Sequence, residues 1–288
     1  MTGRGLIRLA VPSKGRMAEP ARRLLAAAGL EIEATGRTLH AHVYDLDLDL
    51  LLARSDDIPV WAADGGVDLG IAGQNQIIES GVEVDEVLPL GFGRCRLSLA
   101  VPTGSATRSL ADLAGRRIAT SYPHTVRSRL ALHDIEATVI TLGGSVELAP
   151  RLHAADAIVD LVSSGDTLRE NGLEEVETLL TSEAVLFTRR GLSGDQAALA
   201  AEITLLLQSV LAARPKRYLM LNARDETLDG VLALLPGLDA PTVLPLARQG
   251  MHAVHAVVEA NDIAKLLGPL KAAGASSLLV LPIEHLIP

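Results

Sequence analysis

Aromatic residues are scarce in this chain: two Phe, three Tyr and one Trp among 288 residues. Its interior must therefore be built from Leu, Val, Ile and Ala. The single cysteine, Cys95, excludes an internal disulfide framework and fits a reducing compartment. Lys and Arg total 26 against 35 Asp and Glu, and a net charge of −9 argues against general affinity for nucleic acid. Any anionic ligand must be drawn by local cations. No apolar stretch is expected to approach the ~20 residues of a membrane helix. The first residues, Met1-Thr2-Gly3-Arg4-Gly5, lack the apolar core of a signal peptide. A cytoplasmic location, with no membrane partner, is expected.

Several catalytic signatures are missing as well. Gly70-Ile71-Ala72-Gly73-Gln74-Asn75 lacks the lysine of a phosphate-binding Walker loop, and Gly91-Phe92-Gly93 is not a complete dinucleotide fingerprint. There is no Gly-x-Ser-x-Gly elbow. His40-Ala41-His42 and His252-x-x-His255 lack carboxylates at ligand spacing, so no metal site is assigned. Covalent catalysis is not indicated.

Against that background one stretch is rich in chemistry: Ala157-Ile158-Val159-Asp160-Leu161-Val162-Ser163-Ser164-Gly165-Asp166-Thr167-Leu168. A short apolar strand ends in an acid, and small hydroxyl residues and glycine then open a helix. Backbone amides, hydroxyls and a helix N-terminus suit a phosphate. Asp160 would repel phosphate but can accept from the two hydroxyls of a ribose. Together they suggest a 5-phosphoribosyl group, although ordinary βα turns use the same residues. Asp156 is either a second ribose acceptor or a surface acid.

A basic turn, Lys14-Gly15-Arg16, follows the strand Leu6–Val11. It reads either as a solvated turn or as a point charge and a bidentate fork aimed at an anion. Arg54, Arg94 and Arg96 are further cations of this kind.

Alternating strands and helices predict α/β lobes with a largely parallel sheet. Pro102-Thr103-Gly104-Ser105 reads as a hinge. It divides residues 1–101 plus 183–213 from a second lobe at 102–182, with a ligand cleft between them. Helix is expected over Val146–Leu152. From 214 to 288 the order βαββαβ is ferredoxin-like.

The chain resembles the ATP phosphoribosyltransferases, in their long, self-contained form. The resemblance runs through Val11–Arg16, Asp57-Ile58-Pro59, Val67–Gly73, Phe92–Ala100, the signature from Glu147 to Leu168, Pro241–Leu246 and Gly274–Ser277. His153 departs from it, standing where the signature expects glycine. Asn75 stands where many members carry aspartate.

The resemblance implies two catalytic lobes like those of type II periplasmic binding proteins, plus a ferredoxin-like (ACT/PII-like) regulatory domain. It implies that Ser163, Ser164, Gly165 and Thr167 hold the 5-phosphate of phosphoribosyl pyrophosphate and Asp160 its ribose, with Asp166 a further residue of the same substrate-binding loop. Lys14, Arg16, Arg54, Gly73 and Asn75 would face ATP and the departing pyrophosphate. Tyr122 would be either a neighbour of the adenine or an interlobe packing residue. Mg²⁺ would ride on pyrophosphate oxygens and water. L-histidine would act as feedback inhibitor near Thr242, Ser276 and Ser277, and the assembly would be a homohexamer, with a dimer as the alternative. The competing readings are a two-lobed solute-binding protein and a catalytically silent regulatory subunit. The first lacks support from a signal peptide; the second is opposed by the presence of both loops.

Overall fold

The computed structural model describes residues 6–30, 39–43, 46–235 and 240–287. The reading of Met1 to Gly5 lies outside them. The first lobe runs β1 (Ile7–Pro12), α1 (Ala18–Ala27), β2 (His40–Val43), β3 (Leu48–Ala53), α2 (Ile58–Ala63), β4 (Leu69–Gly73), α3 (Gln74–Ser80) and β5 (Val84–Pro89). The second runs β6 (Cys95–Pro102), β7 (Arg117–Thr120), α4 (Pro123–Leu132), β8 (Thr138–Thr141), β9 (Ala157–Val162), α5 (Asp166–Glu170) and β10 (Leu173–Ser182). The chain then returns to the first sheet as β11 (Ala184–Arg189).

Local chemistry sets these boundaries. Pro59 lies in the first turn of α2, where a missing N–H costs nothing. α3 ends at Gly81, whose φ of 67° is a left-handed cap that glycine adopts without strain. β4 is buried along its whole length, and a methyl added at Gly70 would lie 2.3 Å from the Phe187 ring and 2.6 Å from Ile58. Buried Asp68 accepts from the Arg8 amide at 2.9 Å and the Arg189 Nε at 2.8 Å, linking the chain entering β4 to β1 and β11.

The sheets are mixed, not largely parallel. The first has the order β2-β3-β1-β4-β11-β5, and only β3–β1 and β1–β4 are parallel. The second has the order β10-β6-β9-β7-β8, parallel only at β9–β7 and β7–β8. The added strands escape a reading by periodicity for physical reasons. β5 is mostly exposed, and β10 carries three glutamates and two register shifts that break its alternation.

The lobe boundary also moves. β6 pairs with β10 and β9, so it belongs to the second lobe, and the outgoing crossing falls at 90–94 rather than at 102. Pro102–Ser105 is instead the turn at the far end of β6, where the Thr103 amide donates to the Gly172 carbonyl at 2.9 Å. The expected helix over Val146–Leu152 is one 3₁₀ turn, Val146–Leu148.

α6 (Gly194–Ala213) corrects the expectation that no segment reaches membrane length. Its 20 residues have a mean hydropathy of 1.5, long and apolar enough to cross a membrane by composition alone. Buried Leu199, Ile203, Leu207 and Val210 recur at spacings of three and four, marking one packed face.

Contacts divide the chain into two compact units, the second comprising 27–29 and 205–288. In that unit β12 (Lys216–Arg224), α7 (Leu228–Leu232), β13 (Thr242–Pro245), β14 (Met251–Glu259), α8 (Ile263–Ala272) and β15 (Ser276–Pro282) follow one another. The antiparallel order β13-β14-β12-β15 is ferredoxin-like. One face buries Leu219, Leu221, Val254, Val258 and Leu270.

Candidate active site

β9 delivers Asp160 to the start of the phosphate-type loop. Glu147, Asp160, Ser163, Ser164, Gly165 and Thr167 line a cavity of about 300 Å³. Gly165 takes φ 83° to turn the chain into α5, a conformation that favours glycine. α5 has only five residues, so the expected helix dipole is weak, and the loop's hydroxyls carry more of the recognition. The Thr167 hydroxyl makes no hydrogen bond among the described residues. Ser164 donates to Asp166 at 2.5 Å, and Asp166 also pairs with Arg169. These contacts hold the Asp166 carboxyl below its usual range and turn it onto its own loop.

The Asp160 carboxylate accepts from the Leu161 amide at 2.8 Å. Burial, and secondarily the charge of Glu147, push it above the usual carboxylate range. The second acid in this cavity is thus Glu147. Asp156 stands before the opposite end of β9, where it accepts from the Arg117 amide at 2.8 Å. It is a strand-end acid, four residues or about 13 Å along the strand from Asp160. Of the two readings of Asp156, this placement favours the surface acid.

The basic turn of the first lobe meets this loop. Arg16 Nη1 donates to Ser163 Oγ at 2.9 Å. Lys14 is exposed beside it, with no partner among the described residues. Arg22 supports the turn by donating to the Ser13 carbonyl at 3.2 Å. Arg54 faces Asp56 at 3.9 Å in solvent, a weak pair. Tyr122 is half-buried; burial, then the charges of Asp160 and Asp56, push its phenol above the ordinary value. It stays a neutral hydroxyl at the cleft.

Where the chain crosses between lobes a second cavity, about 450 Å³, is lined by Gln74, Arg94, Cys95, Arg96, Ser163, Thr181, Ser182 and Glu183. Ser163 belongs to both cavities. Arg96 grips Glu175 with two bonds of 2.5 Å and donates a third to the Ser163 carbonyl at 3.1 Å. It anchors the loop's backbone, whereas exposed Arg94 lies 3.6 Å from Glu183.

Gly73 and Asn75 sit behind this cavity. The Asn75 amide N–H donates to Ser182 Oγ at 3.0 Å, and that hydroxyl donates to Asn75 Oδ1 at 2.8 Å. A Cβ on Gly73 would lie 2.4 Å from Asn75 Oδ1. Both residues fasten the crossing. Glu175, Ser182 and Glu183 carry no motif of their own, and the pairing of β10 with β6 brings them to the crossing, whereas Gln74 and Glu147 lie inside the Gly70–Asn75 and Glu147–Leu168 stretches without standing out there.

In the ferredoxin-like unit, Thr242 lies on one edge strand, β13, and Ser276 and Ser277 on the other, β15. Three strand spacings separate them, about 14 Å. One copy of the chain does not bring them together around an amino acid.

Residues 54–210 match the family model described as HisG, ATP phosphoribosyltransferase, and residues 213–285 match that of the HisG C-terminal domain. The chain belongs to the ATP phosphoribosyltransferase family. An ATP phosphoribosyltransferase of Cytophaga hutchinsonii is 42% identical, covering 98% of this chain and 99% of the relative. One of Maricaulis maris is 42% identical over all of both chains. A chain of the Thermotoga maritima ATP phosphoribosyl transferase (HisG:HisZ) complex superposes with a TM-score of 0.62 at 25% identity, covering 70% of this chain and 96% of that one. The reaction of this ATP phosphoribosyltransferase is the first of histidine biosynthesis, transfer of the 5-phosphoribosyl group to ATP.

Proposed function

We propose that the cleft between the lobes performs the transfer, with the loop of Asp160 to Thr167 on phosphoribosyl pyrophosphate and Lys14 and Arg16 on the opposite wall. The observation that carries this reading is the Arg16–Ser163 contact, which puts a cation of one lobe on the phosphate-type loop of the other. Ser163, Ser164, Gly165 and Thr167 take the 5-phosphate; Asp160 and Glu147 take the ribose hydroxyls. The C1′–O bond to pyrophosphate breaks with its electron pair leaving on oxygen, and the adenine N1 lone pair forms the new bond to C1′. Ionised Asp160 and Glu147 stabilise positive charge developing on the ribose, and Lys14 and Arg16 stabilise negative charge on the leaving group. No protein nucleophile is needed.

Among the described residues no three His, Cys, Asp or Glu side chains converge as a metal site. Mg²⁺ accordingly enters this reading with the substrate, carried on its pyrophosphate oxygens. Histidine is assigned to the ferredoxin-like unit. The separation of Thr242 from Ser276 means that a site using both edges is completed between two copies of a homo-oligomer. A hexamer in the cytoplasm remains part of this reading.

The test is absorbance at the wavelength of N1-ribosylated adenine, with ATP, phosphoribosyl pyrophosphate, Mg²⁺ and pyrophosphatase, with and without histidine. Suppression by histidine supports the regulatory assignment; a signal indifferent to histidine removes it. Asp160→Asn and Thr167→Ala should each abolish most turnover, and unchanged turnover in both would sink the site assignment.

A further inference from the structure

α4 has no cap of its own. Tyr122 precedes it without a side-chain cap, and Pro123 in its first turn has no N–H. The next two amides, of His124 and Thr125, each donate to the Glu79 carboxylate at 2.9 Å, and the Thr125 hydroxyl adds a third bond at 2.8 Å. Glu79 lies on α3 of the first lobe, whereas α4 belongs to the second. The cap is therefore supplied across the cleft. It places a carboxylate at the amide end of a ten-residue helix, where it is favoured by the helix dipole as well as by three charge-assisted bonds. Thr125 is buried, so little water is at hand to replace a lost partner.

The other end of α3 is fixed too, through Asn75 and Ser182 at the returning crossing. Both ends of this two-turn helix of the first lobe are thus tied to the second lobe. Tyr122, whose phenol is influenced by the charge of Asp160, is the residue from which the capped helix departs.

We propose that Glu79 is a positioning residue: its cross-lobe cap of α4 holds the lobes at the closure that binds both substrates. The inference rests on the reading of the cleft as the active site. Without the cap, a smaller fraction of molecules is closed, and apparent affinity falls by that fraction for every ligand that needs closure. Loss of a local contact would instead weaken one substrate.

Glu79→Gln keeps the size and one acceptor; Glu79→Ala removes all three bonds; Thr125→Val removes only the hydroxyl bond. KM for ATP and KM for phosphoribosyl pyrophosphate should rise by a common factor, about threefold in Glu79→Gln and about tenfold in Glu79→Ala, with saturated kcat little changed. Thr125→Val should show the smallest common rise. Spin labels at Arg23→Cys and Leu132→Cys, in a Cys95→Ser background, should give a broader interlobe distance distribution when Glu79→Ala is added. One KM moving alone, both KM values unmoved while Tm falls, or an unaltered distance distribution would each overturn the proposal. Failure of the cleft reading is separate: it would appear as normal turnover in Asp160→Asn and Thr167→Ala with Glu79 intact.

Discussion

Arg16 and Ser163 are 147 positions apart in the chain, yet the Arg16 guanidinium donates to the Ser163 hydroxyl at 2.9 Å. They stand on facing lobes, and the same serine offers its carbonyl to Arg96 from its own lobe. Pyrophosphate leaving beside the loop can take over the Arg16 donor without disturbing the Arg96 anchor. This contact holds the guanidinium at the cleft, where an anion will need it.

Arg16 and Ser163 should then respond unequally to truncation. Arg16→Ala removes a charge-assisted donor and should lower kcat/KM by about 100-fold. Ser163→Ala leaves the loop's backbone and the other hydroxyls in place and should cost less than about tenfold. Steady-state kinetics with each substrate varied will check this. Equal losses would mean that the hydroxyl matters to the ligand as much as the guanidinium does.

Asp160 sets function against stability. Its folded-state pKa lies above the unfolded value because burial disfavours the charge. The sign follows: the folded state binds protons more readily, so this group's favourable contribution is full below the unfolded pKa of about 3.9 and is lost as pH rises through the folded value. Asp160→Asn should accordingly raise Tm at pH 7, with the difference shrinking toward pH 4. The same variant should lose about 100-fold or more in kcat, since the ionised group that faces the developing charge is gone. In the parent enzyme, kcat/KM should fall on the acid side at a pH above that of an ordinary aspartate. A Tm that drops at pH 7 in Asp160→Asn would contradict this account.

How much of this could be read from the chain depended on how local each feature is. Asp160, Ser163, Gly165 and Thr167 fall within one strand-to-helix turn, so their chemistry is visible in eight letters. Glu147 reaches the same cavity through the 3₁₀ turn at Val146–Leu148, and Glu175 through a strand with two register shifts; neither path leaves a periodic mark. Asp156 and Asp160 are close in sequence, but an extended strand puts acids four apart at its opposite ends. The departure at His153 has a physical basis: its φ is 54°, a conformation that glycine takes freely and histidine takes at some cost. The mixed sheets were hidden in exposed β5 and in β10.

Ser182 and its neighbour Thr181 offer a controlled comparison at the crossing. Ser182 is buried and satisfies both the Asn75 amide N–H and its side-chain oxygen. Thr181 is exposed on the same strand. Ser182→Ala leaves two buried groups without partners and should cost about 2 kcal/mol by urea denaturation. Thr181→Ala should stay within about 0.5 kcal/mol. Similar values for both would show that water satisfies Asn75 and that the crossing is not stapled by this pair.

The Arg96–Glu175 pair predicts a distinct pH signature. Hydrogen bonds from Arg96 are the largest influence on Glu175 and hold its carboxyl below the ordinary range; bonds from Ser98 and Thr178 act in the same direction. Here the folded pKa is depressed, so the pair's contribution is present above the unfolded pKa of about 4.3 and is lost as pH falls through the folded value. Arg96→Met should flatten the acid limb of the stability curve, because Glu175 then titrates nearer its ordinary value. It should also free the Ser163 carbonyl and raise KM for phosphoribosyl pyrophosphate severalfold, while KM for ATP moves less. Glu175→Gln keeps one acceptor for Arg96 and should show a milder form of both effects. The coupled reading requires the two effects to travel together: a flattened acid limb with an unmoved phosphoribosyl pyrophosphate KM would separate the ion pair from the loop it holds.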